Sequence, residues 1–79
     1  MNTLGKLLTF LYELDSRQIA FKLARCRPEA IMVDISVPGE RWEVEFFEDG
    51  HVEVEVFRST SGGLEGEEAL ARLFEQFSD

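Results

Sequence analysis

Cysteine occurs once, proline twice, and Lys and Arg together number eight against sixteen Asp and Glu. A lone cysteine, Cys26, excludes an internal disulfide and a cysteine-based zinc site. No apolar run approaches the roughly 20 residues of a membrane-spanning helix. The N-terminal segment MNTLGKLLTFLYELDSR meets Glu13 and Asp15 where a secretory signal would place small residues before its cleavage site. The shortage of basic residues leaves a net charge of -8, which disfavours nucleic acid and anionic membrane as partners and favours a basic protein. Together these absences describe a soluble cytoplasmic protein. No segment carries a catalytic or cofactor motif, so neither enzymatic activity nor a cofactor nor a metal is expected.

What remains is a chain of 79 residues, 44% of them hydrophobic and nine of them aromatic. That is enough for one compact domain over residues 1–79 and too much for wholesale disorder. The most ordered pattern is WEVEFFEDGHVEVEVF, Trp42 to Phe57. Side chains alternate between the faces of a strand, so Trp42, Val44 and Phe46 share one face with Val52, Val54 and Val56 across a hairpin. A two-residue Asp-Gly turn would pair Phe46 with Glu53 and mix the faces. A three-residue loop, Glu48-Asp49-Gly50, pairs Phe46 with Val52, Val44 with Val54 and Trp42 with Val56, and puts Gly50 where a positive φ is needed. The same register sets Glu45 opposite Glu53 and Glu43 opposite Glu55. Like charges directly opposed destabilise a sheet by some tenths to about 1 kcal/mol per pair, so folding alone does not ask for them.

Around this hairpin the spacing predicts a helix from Thr3 to about Asp15, capped by Asn2 or Thr3, with Leu4, Leu7, Leu8, Leu11 and Leu14 as its apolar stripe. Phe10 and Tyr12 widen that stripe beyond what one sheet can cover, which points to a possible homodimer. Residues 18–26 read either as a strand, with Ile19, Phe21 and Leu23 alternating with Ala20, Lys22 and Ala24, or as a continuing helix. AIMVDISV is a strand with Ile31, Val33, Ile35 and Val37 on one face. Pro38-Gly39 makes a tight turn that pairs Ile35 with Trp42 and Val33 with Val44. STSGG reads as a flexible connector, and LEGEEALARLFEQF as a helix with Glu65, Glu67 and Glu68 in its first turn and Leu70, Leu73, Phe74 and Phe77 at helical spacing. The expected fold is α+β: a two-layer sandwich with an N-terminal helix, a three- to four-stranded antiparallel meander, and a C-terminal helix, both helices on the Trp42 face.

The other sheet face would then carry Lys22, Asp34, Glu43 and Glu55 in one row and Met32, Glu45 and Glu53 in the next. Phe47 would stand opposite His51 at one end and Phe57 opposite Arg41 at the other. Three readings compete for this face: a solvated surface relieved by Lys22 and Arg41, a docking surface for a basic protein, and a divalent-cation site. The last lacks the Asp/Asn/Gly-rich loop that encloses an ion. His51 reads as an exposed turn residue whose acidic neighbours favour its protonated form. Cys26, between two arginines, reads as a surface or edge-strand thiol with no histidine to make it a nucleophile.

The segment PGERWEVEFFEDGHVEVEVF, residues 38–57, resembles a hairpin found in small bacterial proteins of uncharacterised function, some of them loosely associated with toxin–antitoxin and immunity systems. The resemblance implies bacterial origin and a protein-binding role, and brings no catalytic residue with it. The expected function is therefore a small acidic, non-enzymatic module that docks on a basic protein as an antitoxin, immunity protein or nuclease inhibitor does. Asp34, Glu43, Glu45, Glu53 and Glu55 would supply steering, and Phe47 and Phe57 apolar contact. The alternative is a homodimeric structural or assembly protein whose acidic face only keeps it soluble.

Overall fold

The structure, a computed structural model, describes residues 2–58, 62–65, 67 and 69–76. In chain order these form α1 (Thr3–Ser16), β1 (Phe21–Arg27), β2 (Ala30–Val37), β3 (Glu40–Phe47), β4 (Val52–Arg58), β5 (Gly62–Glu65) and α2 (Ala69–Gln76). The strands make one antiparallel sheet in the order β1-β2-β3-β4-β5. The expected helix, meander and helix are present. No helix among the described residues is long and apolar enough to cross a membrane.

Both hairpin registers follow the parity of the buried residues. Val33 pairs with Val44 and Ile35 with Trp42, then Trp42 with Val56, Val44 with Val54 and Phe46 with Val52. A one-residue slip in either hairpin would carry all of these to the solvent face. The turns supply what this register needs. Gly39 has φ 79 and Gly50 φ 98, conformations that cost a residue with a Cβ. At the β3–β4 turn the Gly50 N–H donates to the Phe47 carbonyl at 2.9 Å and the Phe47 N–H to the His51 carbonyl at 3.0 Å, closing the three-residue loop.

Within residues 18–26 the strand reading holds from Phe21 onward, and Gln18 to Ala20 link it to α1. The α1 helix ends first because Gln18 takes a left-handed conformation, φ 59. The Gln18 N–H donates to Asp15 O and the Ile19 N–H to Leu14 O, the paired bonds of a Schellman cap. Ile19 and Leu14, the two apolar residues that close such a cap, are both buried. At the other end Asn2 caps the helix, its Oδ1 accepting from the Gly5 N–H at 2.6 Å.

Two expectations are corrected. Gly62–Glu65, spanning the end of the segment read as connector and the start of that read as helix, instead forms β5, with Val54 paired to Glu65 and Phe57 to Gly62; residues 59–61, 66 and 68 lie outside the described residues. This satisfies backbone groups that β4 would otherwise leave open at an edge, and sheet hydrogen bonding of that kind outweighs local helix preference. The C-terminal helix accordingly begins at Ala69; Phe77 lies outside the described residues. The apolar stripe of α1 is also rotated from the predicted one. Leu7, Phe10 and Leu14 are buried and Leu11 partly so, while Leu4 and Leu8 are 63% and 46% exposed. Phe10 decides this: its ring lies 5.4 Å from Phe46 and 5.6 Å from Phe74. With α2 on that side of the sheet, α1 turns its aromatic flank into the core. Trp42, Leu14, Ile35, Leu73, Val33, Val44, Val54 and Val56 form the fully buried centre.

The cap at Gln18 makes a simple prediction. An exposed L-residue at positive φ carries roughly 1–2 kcal/mol of strain that glycine lacks, partly offset by glycine's greater freedom when unfolded. Gln18→Gly should raise stability by about 0.5–1 kcal/mol in urea unfolding. An unchanged or lowered midpoint would mean the Gln18 side chain contributes something beyond its backbone.

Candidate functional site

The second sheet face assembles in the predicted register. Lys22 pairs with Asp34, Asp34 with Glu43 and Glu43 with Glu55, while Met32 pairs with Glu45 and Glu45 with Glu53. Both Glu–Glu oppositions are therefore real. They follow from the valines and aromatics on the opposite side of the same strands, since fixing one face of a strand fixes the other. Glu43, Glu45, Glu53 and Glu55 line a concavity of about 350 Å³ with Arg27 and Met32. Among the described residues no group of His, Cys, Asp and Glu is arranged to hold a metal ion.

Partial neutralisation comes from the rim. The Arg41 guanidinium lies 3.1 Å from Glu43 Oε2 and the Arg27 Nε 3.7 Å from Glu45 Oε2. His51 Nε2 lies 3.3 Å from Glu53. Among the described residues, no cation lies within ion-pair distance of Glu55 or Asp34, and Lys22 stands opposite Asp34 without closing on it. The Asp34 Oδ1 is shut off from solvent without a hydrogen-bond partner.

Arg27 is the member that the sequence pattern does not reveal. On a regular β1 it would share parity with Leu23 and Arg25 and point toward the helices. The register shifts between Ala24 and Arg27, so that Arg27 pairs with Ala30 and emerges on the acidic face. A bulge of this kind re-aims a side chain, and nothing in LARCRP announces it. Cys26 on this edge strand is exposed.

The two predicted aromatic anchors are not open. Phe47 is only 5% exposed: His51 stacks on its ring at 4.1 Å and the Arg27 guanidinium sits 5.5 Å over it. This corrects its expected role as a free contact, because the residues that cover it are themselves held by Glu45, Asp49 and Glu53. Phe57 is half-buried under Arg41, 4.7 Å from its ring centre. Each aromatic thus supports a cation at the rim of the acidic face, an arrangement favourable by about 0.5–1 kcal/mol at exposed sites.

His51 is held between carboxylates. Its Nδ1 lies 2.6 Å from Asp49 Oδ1, which also accepts from the His51 backbone N–H at 3.0 Å. The Asp49 hydrogen bond raises the His51 pKa above its ordinary 6.5, with Glu53 adding to the effect. Reciprocally, the His51 backbone N–H and then its imidazole lower the pKa of Asp49. For the raised histidine, stabilisation is complete below its unfolded pKa and is lost as pH rises through the folded one. For the lowered aspartate, it is complete above the unfolded pKa and is lost as pH falls through the folded one. The turn is therefore tightest between the ordinary values of Asp49, 3.8, and His51, 6.5.

Two measurements check this electrostatic picture. An NMR titration of the His51 ring should give a midpoint above 6.5, and Asp49→Asn should move it down; an unmoved midpoint would remove Asp49 as the main cause. Glu55→Gln should leave the protein as stable or more stable by a few tenths of a kcal/mol, since Glu55 opposes Glu43 without a cation of its own. Glu43→Gln should be nearly neutral, because the relief is offset by loss of an exposed pair with Arg41 worth about 0–1 kcal/mol. A marked loss of melting temperature in Glu55→Gln would reveal a cation bound to the face. Comparison with known protein families, curated proteins and solved structures finds no match to this chain.

Proposed function

We propose that the chain acts by binding: its acidic sheet face docks on a basic protein surface, as a small antitoxin, immunity protein or nuclease inhibitor does. The observation that carries this reading is the direct opposition of Glu43 with Glu55 and Glu45 with Glu53. The buried face restricts only the alternate positions, and a mixture of Lys and Glu on the outer face would serve solubility without repulsion. A concentrated acidic face raises the rate of encounter with a cationic partner and selects against acidic ones. A partner's Arg or Lys would find Glu55 lining the concavity with no described cation to displace. The rim fits the same reading, because Arg27, Arg41 and His51 hold the outer carboxylates in fixed positions. Phe57 offers the apolar contact, while Phe47 serves the surface from beneath. A special case of the same chemistry is a partner that ordinarily binds nucleic acid, with the carboxylates of this face standing in for its phosphates.

Association kinetics with a partner recovered from the native cell test this. Wild-type association should slow steeply with added salt, and Glu45→Gln with Glu53→Gln should reduce it several-fold at low ionic strength, by about three- to tenfold, while the fold is unchanged. Phe57→Ala should act mainly on dissociation. Association that is indifferent to salt and to both glutamates would leave the face as a solvated surface, and the chain's role would then have to lie elsewhere.

A further inference from the structure

On the opposite side of the sheet, four large apolar side chains are exposed among the described residues: Leu4 at 63%, Leu8 at 46%, Tyr12 at 74% and Leu23 at 53%. They share one flank. Leu4, Leu8 and Tyr12 follow each other at four-residue intervals, which places them along one side of α1. Leu23 pairs with Val33 on β1 and so faces the helix layer. Leu4 also borders a groove of about 430 Å³ beside Arg25, Pro28 and Ile31, so this flank of α1 looks toward β1. Its other flank is taken, Lys6 donating to the Gly50 carbonyl and Phe10 packing on Phe74. Beside α1, the outer strand of the sheet has no helix over it. Single exposed leucines are ordinary, but four large ones along one flank of a 79-residue chain mark a surface to be covered.

We infer that a second copy of the chain covers it, with α1 packed antiparallel on α1 across a two-fold axis. The charges on the flank are self-complementary in this arrangement. Asp15, eleven residues after Leu4, continues the Leu4–Leu8–Leu11 line to the C-terminal end of the helix, and it is exposed. Arg25 stands at the N-terminal end, beside Leu4. It donates to the Pro28 carbonyl at 3.2 Å, and no carboxylate among the described residues lies within ion-pair distance. In a chain with twice as many acids as bases, an exposed arginine that no described carboxylate reaches is free to take one from a second copy. Antiparallel packing brings Tyr12 and Asp15 of one copy onto Leu4, the groove and Arg25 of the other, and symmetry makes the same contacts twice. A parallel arrangement would set Asp15 against Asp15 and Arg25 against Arg25.

The free edge of β1 is the rival route to a dimer, and its charges oppose it. Three of the chain's eight basic residues, Lys22, Arg25 and Arg27, lie on this strand, so antiparallel pairing of β1 with β1 would bring like charges together. Cations on an edge strand discourage such pairing. The helix flank offers Arg25 to receive the partner's Asp15, with Glu29 and Glu48 at the far border of the same groove, and docking there leaves both acidic faces outward. The assembly would present two copies of the surface assigned above to a basic partner, yet it stands whether or not that assignment does.

Sedimentation equilibrium on the wild-type chain tests this. The expected result is a species of twice 9.1 kDa. Leu8→Glu and Tyr12→Glu, each outside the core, should raise the dissociation constant roughly tenfold or more without altering the circular dichroism spectrum. The decisive variants are reciprocal. Asp15→Arg and Arg25→Asp should each weaken the dimer, and the two together on one chain should restore it, which only copy-to-copy contact between these positions can do. A monomer at millimolar concentration overturns the inference, whether the flank then takes up lipid vesicles, a foreign helix or nothing. A dimer untouched by Leu8→Glu, or a double swap that fails to restore association, overturns it as well.

Discussion

Burial of one face of the β3–β4 hairpin is the constraint on which the rest of the molecule depends. Trp42, Val44, Phe46, Val54 and Val56 are almost wholly removed from water, each contributing on the order of 1.5–3 kcal/mol relative to exposure. Against that sum, two Glu–Glu oppositions costing up to about 1 kcal/mol apiece are affordable. The buried face therefore dictates register, and register places the carboxylates. Because side chains alternate strictly, the acidic face is the reverse side of the core.

The two faces have different tolerances. On the core side, the aromatic contacts of Phe10 with Phe46 and Phe74 tie both helices to the sheet, so the orientation of α1 and the position of α2 are settled together. On the acidic side, order comes from pairs of rim contacts: Arg27 with Glu45 and Phe47, Arg41 with Glu43 and Phe57, His51 with Asp49, Glu53 and Phe47. Individually such exposed contacts are weak. Acting together on Phe47, those of Arg27 and His51 convert an outward-facing aromatic into a buried one. The acidic face and the apolar flank of α1 lie on opposite sides of the sheet, so occupation of one would not obstruct the other.

Much of this was legible before folding was considered. The hairpin registers, the Gly39 and Gly50 turns, the Asn2 cap and the membership of the acidic rows all follow from period-two alternation and from the few residues that accept positive φ. These are local rules acting over neighbouring residues. The identity of residues 18–26 was not legible, because FKLARC satisfies helix propensity and strand alternation alike. The strand was chosen by pairing with Ala30–Val37.

What the sequence determined by itself was the alternation, and with it the sheet and the chemistry of its outer face; parity needs no knowledge of distant contacts. Tertiary structure alone decided four things. It set β5 on the open edge of β4, where backbone hydrogen bonds outweighed the helical reading of Leu64 and Glu65. It rotated α1 to bury Phe10 in place of Leu4 and Leu8, because α2 occupied one side of that helix. It turned Arg27 outward through a bulge, and it buried Phe47 beneath Arg27 and His51. In each case the deciding partner lies on another element, and burial or hydrogen bonding between elements outweighs a local preference of no more than about 1 kcal/mol per residue.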